Sequence, residues 1–194
     1  MDFAFQTNSG YHEVPTKEAA MMKILLCSFL LTFAVQAQTP AVGDPAPNFT
    51  LPYATRDSVA RTPLTLAHEI GRGNIILAFY PADWSPGCTK EVCSFRDNFS
   101  ALQSLGAEIL AVSGDYPWSH HQWAKYQNLP FRLLSDHNHH VAAEYGSFDG
   151  SSPYNKRTVF LIDKNGKIVY RNLHYSVSDA KDFNLLKEAM SHLQ

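Results

Sequence analysis

Apolar residues along this chain follow two patterns, and their alternation sets the expected elements. Asn74–Tyr80 and Ala107–Ser113 are continuous apolar runs of strand length, the mark of strands covered on both faces. Between them Val92, Phe95, Phe99 and Leu102 recur at helical spacing. One helix is therefore expected from Cys88 to about Leu105, closed by Gly106. A second is expected over Trp118–Gln127, with Trp118, Gln122 or Trp123, and Tyr126 on one side. Pro130–Ser135 reads as a strand, and Val141–Tyr145 as one or two helical turns. Arg157–Asp163 and Ile168–Arg171 flank Lys164-Asn165-Gly166-Lys167, a hairpin with an Asn-Gly turn. Asp179–Leu193 is the last helix, its apolar set being Phe183, Leu186, Ala189 or Met190, and Leu193. Upstream, Asn48–Leu51 and Leu64–Leu66 read as short strands around a loop or hairpin at Arg56–Pro63. This order predicts an α/β fold with a central mixed β-sheet flanked by helices.

The first 37 residues carry a different pattern. Residues 1–20 are polar and aperiodic. Lys23 then precedes the apolar run Ile24–Val35, and Val35-Gln36-Ala37 ends it with small residues in a cleavage-site arrangement. The run has the form of a secretory signal peptide and is too short to span a bilayer. Cys27 stands at the front of the run and belongs to that peptide. The expected division is an N-terminal extension and signal over residues 1–37 and one domain over 38–194. The mature chain is expected in the periplasm or outside the cell, with no stable membrane insertion. Two cysteines then remain, Cys88 and Cys93, in an oxidising compartment.

Composition acts mainly by exclusion. A 12% aromatic content excludes a low-complexity chain, and a net charge of −2 offers no basic field for nucleic acid. Three cysteines are too few for a disulfide scaffold. The histidines, including His120-His121 and His137, His139 and His140, lack metal-ligand spacing, so no metal or other cofactor is expected.

The chemistry is concentrated at Phe79–Arg96. Cys88 falls where a buried strand gives way to a helix. A sulfur there meets unpaired backbone N–H groups and the positive end of the helix dipole, which favour the thiolate. Ser85, three residues earlier, places a hydroxyl nearby and also suits the helix N-cap. Cys93 follows five residues later. On one helix their Cα atoms would stand about 8.5 Å apart, beyond the roughly 7 Å that a disulfide bridges. A bond between them requires the first turns to unwind, which suits a pair that reacts in sequence better than a static crosslink.

These residues resemble the peroxiredoxins. Pro81-x-x-x-Ser85-x-x-Cys88 matches the family's Pro-x-x-x-Thr/Ser-x-x-Cys motif. Pro86-Gly87-Cys88-Thr89-Lys90-Glu91-Val92-Cys93 with Phe95-Arg96-Asp97 is similar to the PrxQ or bacterioferritin-comigratory-protein branch. Tyr80-Pro81-Ala82-Asp83-Trp84-Ser85-Pro86 leans toward the one-cysteine AhpE-like branch. Arg157 matches the family's active-site arginine before a late strand. The resemblance implies a thioredoxin-like fold, a peroxide substrate and a thioredoxin-like or other dithiol reductant, with the chain a monomer or weak dimer. It implies Cys88 as the attacking thiolate, Cys93 as the resolving thiol, Arg157 and Ser85 as stabilisers of developing charge, and Pro81 as a shield against water. The site demands an ionised sulfur open to peroxide beside a fixed guanidinium.

Two other functions fit such a fold. An exported thiol-disulfide oxidoreductase would carry Cys-x-x-Cys, whereas the residue three after Cys88 is Glu91. A non-catalytic binding module would leave Cys88 inert to peroxide. Glu91 itself reads as a solvated helix carboxylate, and Trp84 as a pocket wall or interface residue.

Overall fold

The computed structural model describes residues 38–193. The expected signal peptide, and with it the proposed boundary after residue 37, lies outside the described residues. In chain order the elements are β1 (Thr50–Leu51), β2 (Tyr53–Ala54), β3 (Leu64–Thr65), α1 (Leu66–Glu69), β4 (Asn74–Phe79), α2 (Pro86–Asp97) and α3 (Phe99–Ser104). There follow β5 (Ala107–Ser113), α4 (Pro117–Gln127), β6 (Arg132–Ser135), α5 (His140–Glu144), β7 (Thr158–Ile162), β8 (Ile168–Asn172) and α6 (Ala180–Ser191).

Six strands form one mixed sheet in the order β2-β6-β5-β4-β7-β8, and β1 pairs with β3 apart from it. Every residue of β4 is buried, because β5 pairs with it in parallel on one side and β7 antiparallel on the other. Successive β4 side chains point to opposite faces. Ile76 and Ala78 join a core with Val92, Phe95, Leu102, Trp123, Leu186 and Met190, so α2, α3, α4 and α6 cover that face. Ile75, Leu77 and Phe79 join Leu66, Val141 and Tyr145, so α1 and α5 cover the other. The expected α/β sandwich with a mixed sheet is the one observed.

Two expectations need correction. The single helix from Cys88 to Leu105 is broken at Asn98, whose backbone (φ −102°, ψ 7°) leaves the helical region. Its side-chain amide donates to Ser94 O at 2.9 Å, a local bond that competes with the helix ladder. The second helix splits the set expected on one side. Trp123 points inward with His120 and Ala124, while Trp118 and Tyr126 are 71% and 75% exposed. Five residues apart on one helix, Trp118 and Trp123 fall on different faces.

Candidate active site

The last turn before α2 is built by its own sequence. Ser85 is the N-cap, its Oγ accepting from Cys88 N at 3.4 Å, and Pro86 supplies the first helical residue at no loss of a backbone donor. Ser85 Oγ in turn donates to Ala82 O at 3.2 Å. Cys88 thereby sits in the first turn of α2, at the positive end of the helix.

Sheet topology brings Arg157 to it. Phe79, the last residue of β4, pairs with Thr158, the first of β7. The residue before β7 is therefore placed beside the segment that leaves β4 toward α2. Arg157 Nη2 reaches Cys88 Sγ at 3.5 Å, and Nη1 donates to Glu91 Oε2. Gly87 makes room for it. A Cβ on that residue would meet Arg157 Nη2 at 3.3 Å.

Glu91 is the site residue that sequence reasoning misplaced. It is buried, only 1% exposed, and its second oxygen, Oε1, has no hydrogen-bond partner among the described residues. Burial pushes its carboxyl up to about 7, against the downward pull of the Arg157 charge. Burial also works against the Arg157 cation, but the charges of Glu91 and Cys88 more than offset it and hold the guanidinium protonated. The signal for Glu91 was available in its spacing. It follows Cys88 by three residues, one turn along the same helix face.

The remaining predicted residues are placed as follows. Pro81 is half-buried and lines a cavity of about 190 Å³ with Ala82, Gly114, His139 and Tyr154 among its walls, a cavity that Cys88 does not line. Cys93 is half-buried on α2, and its Sγ donates to Gln127 Oε1 at 3.5 Å. Both thiols are free, and α2 runs unbroken through both positions. Trp84 is exposed, lies against Tyr126 in a tilted arrangement with centroids 5.7 Å apart, and donates from Nε1 to Ser119 Oγ at 3.3 Å. No group of three or more His, Cys, Asp or Glu among the described residues is arranged to hold a metal ion. No helix among them is long and apolar enough to cross a membrane.

One expectation fails in this conformation. The guanidinium stands at the sulfur, as required, but Cys88 has 0% exposed surface. Packing against the sheet seals it, since Cys88 belongs to the same core as Tyr80, Val92 and Trp123. The adjoining Pro86 and Gly87 are exposed.

A cysteine at a helix start, faced by an arginine that immediately precedes the neighbouring strand of a mixed sheet, defines a thiol site on a thioredoxin-like fold. Residues 42–171 match the model of the AhpC/TSA family. The putative peroxiredoxin bcp of Coxiella burnetii is 40% identical over 133 residues, which cover 66% of this chain and 84% of that protein. The chloroplastic peroxiredoxin Q of Oryza sativa subsp. japonica is 41% identical over 131 residues, covering 66% of this chain and 57% of that one. The chain thus spans less than two thirds of the length of the plant relatives it matches. The crystal structure of peroxidoxin BcpB from Mycobacterium tuberculosis superposes with a TM-score of 0.71 at 28% identity, over 80% of this chain and 99% of that one. The chain belongs to the AhpC/TSA family, as a peroxiredoxin of the Q and bcp kind.

Proposed function

We propose that the protein is a thiol-dependent peroxidase in which Cys88 reduces hydrogen peroxide and organic hydroperoxides. The observation that carries this reading is the 3.5 Å approach of Arg157 Nη2 to Cys88 Sγ at a helix N-terminus. Family membership supports it. The Cys88 thiolate attacks one peroxide oxygen and the O–O bond breaks. The departing oxygen takes a proton and leaves as water or an alcohol, and Cys88 becomes a sulfenic acid. Charge develops on both oxygens during attack. Arg157 is the donor already in place to meet it, worth about 3 kcal/mol in comparable sites; the Cys88 N–H and the Ser85 hydroxyl, engaged at rest with Ser85 Oγ and Ala82 O, must turn from those partners to join it. Pro81 keeps water from the pocket. Because the sulfur is sealed at rest, the exposed Pro86-Gly87 turn must open for peroxide to enter.

Cys93 then attacks the Cys88 sulfur, an S–S bond forms and water leaves. An external thioredoxin-like dithiol restores both thiols. This step requires α2 to unwind, because residues five apart on a standing helix are too far apart to bridge. The reducing partner meets a monomer or weak dimer. The reaction takes place after export, directed by the signal at Lys23–Ala37.

A one-cysteine cycle is the second reading. The observation favouring it is that Cys93 is already engaged, donating to Gln127 from within an intact helix. A peroxide titration followed by mass spectrometry tests both. Cys88→Ser must abolish peroxide reduction. Cys93→Ser must leave the first oxidation intact and stop dithiol-driven turnover, and normal turnover of that variant establishes the one-cysteine cycle. A chain whose Cys88 takes up no oxygen from peroxide is not a peroxidase.

A further inference from the structure

A second buried polar group lies beside the site, and the mechanism above does not use it. His120, on α4, has no exposed surface. Its Nε2 lies 3.1 Å from Leu134 O, on β6, and a carbonyl only accepts, so Nε2 donates. Its Nδ1 lies 2.9 Å from Asp83 Oδ2 and 3.1 Å from Oδ1. Tyr80 OH is farther from Nδ1, at 3.4 Å, and only 2.8 Å from Asp83 Oδ1. The tyrosine hydroxyl therefore serves Asp83. Ser119 Oγ donates to Asp83 Oδ2 at 2.7 Å. Three groups converge on the Asp83 carboxylate, and His120, whose two ring nitrogens each face an acceptor, is one of them. The other charge close by is Asp115, whose Oδ2 accepts from Asp83 N at 2.8 Å and from Ser113 Oγ.

Asp83 belongs to the loop that delivers Cys88. Ala82 O, beside it, accepts from Ser85 Oγ, and Ser85 Oγ accepts from Cys88 N. An unbroken chain of hydrogen bonds and peptide units runs from the β6 backbone through His120 and Asp83 to the reacting cysteine. The loop needs such an anchor. Trp84 holds φ at +62°, a left-handed conformation that costs a bulky residue about 1–2 kcal/mol and persists only where surrounding contacts impose it.

We propose that His120 is a positioning residue for Cys88, holding the Pro81–Ser85 loop to α4 through Asp83. The proposal rests on the reading of Cys88 as the reacting thiol. His120→Asn keeps a donor where Nδ1 stands, toward Asp83. His120→Gln keeps one where Nε2 stands, toward Leu134. Both open the same buried site, so a merely structural role lowers the melting temperature and the reaction rate of both alike. Positioning separates them. The rate of Cys88 oxidation by hydrogen peroxide is expected to fall about 10- to 100-fold in His120→Gln, the usual effect of an ångström-scale misplacement, and to stay within about threefold of the unaltered protein in His120→Asn.

Asp83→Ala cuts the link from the loop side and leaves His120 on Leu134, so it must reproduce the loss should His120→Gln fail to fold. Alkylation of Cys88 by iodoacetamide supplies a readout free of peroxide chemistry and must rank the variants in the same order. Equal rates in His120→Gln and His120→Asn, or an Asp83→Ala protein that reacts as the unaltered one, overturn the proposal. Should the unaltered chain ignore peroxide while alkylation still ranks the variants as stated, the peroxidase reading falls and the positioning role stands.

Discussion

Replacing Glu91 by Gln separates two opposed forces at the site. The carboxylate is attracted by Arg157, to which its Oε2 is bonded, and penalised by burial, with its Oε1 left without a partner among the described residues. Burial prevails, raising the carboxyl from 4.5 to about 7 in the folded chain. A folded-state value above the unfolded one stabilises the fold while the group is protonated. That contribution is complete below about pH 4.5 and is lost as pH rises through about 7. At roughly 1.4 kcal/mol per pH unit, the loss amounts to about 3 kcal/mol by pH 8.5. Glutamine keeps the shape and cannot ionise. Glu91→Gln should therefore match the unaltered protein in stability near pH 4.5 and exceed it by about 3 kcal/mol at pH 8.5. Urea unfolding of both proteins under reducing conditions, across that range, reads the difference directly, and titrations common to both cancel. A stability difference that stays flat with pH, or a Glu91→Gln protein that is the weaker one in alkali, would show that attraction by Arg157 outweighs desolvation and refute the reasoning.

Arg157→Lys removes the planar fork that reaches both Cys88 and Glu91. Stopped-flow measurement of the peroxide reaction should show a loss of at least about 100-fold, with the positive charge retained. Gly146→Ala places a Cβ against Thr39 at φ +69°, and thermal unfolding should report a loss of about 1–3 kcal/mol. Expression of the full chain in a secreting host should yield a product beginning at Gln38 by mass, and a retained Lys23–Ala37 segment would defeat the export reading.

Most of the fold could be read in the sequence because its central strands leave no choice. Asn74–Phe79 is apolar at every position but the first, too short for a core helix and closed by a proline after Tyr80, so only a strand covered on both faces fits it. Cys88, Ser85 and Arg157 were legible as a motif, and the structure places them together. What escaped was decided by tertiary packing. Nothing local distinguishes Trp118 from Trp123 as the inward residue of α4. The choice falls to Trp123 because His120, one turn before it, is drawn to Leu134 and Asp83. Glu91 looked solvated because a lone carboxylate usually is, and only its partner 66 residues away, just before β7, makes its burial tolerable. The sealed sulfur escaped for a related reason. A helix start is polar by local rule, but this one is pressed against the apolar face of the sheet.

The same packing sets the limits of any unwinding of α2. Upstream of Cys88 the chain is pinned through Asp83 to the middle of α4, by His120 and Ser119. Downstream the end of α4 holds α2 again, with Gln127 Oε1 accepting from Cys93 and Gln127 O accepting from Arg96 Nη1 at 2.7 Å. Between the anchors stands the Glu91–Arg157 pair. Carrying Cys93 to Cys88 breaks the Gln127 bond and the helical ladder around Glu91, yet leaves the loop before Cys88 in place. A neutral hydrogen bond contributes only about 1 kcal/mol net, so the Cys93 tether is a weak restraint. The charge state of Glu91 weighs more. Burial raises its carboxyl, so the intact helix is favoured while that group is protonated, and unwinding that releases it to water is favoured once it ionises. A resolving step that proceeds through unwinding should therefore slow as pH falls through about 7, and Glu91→Gln, which cannot ionise, should remove that part of the pH dependence.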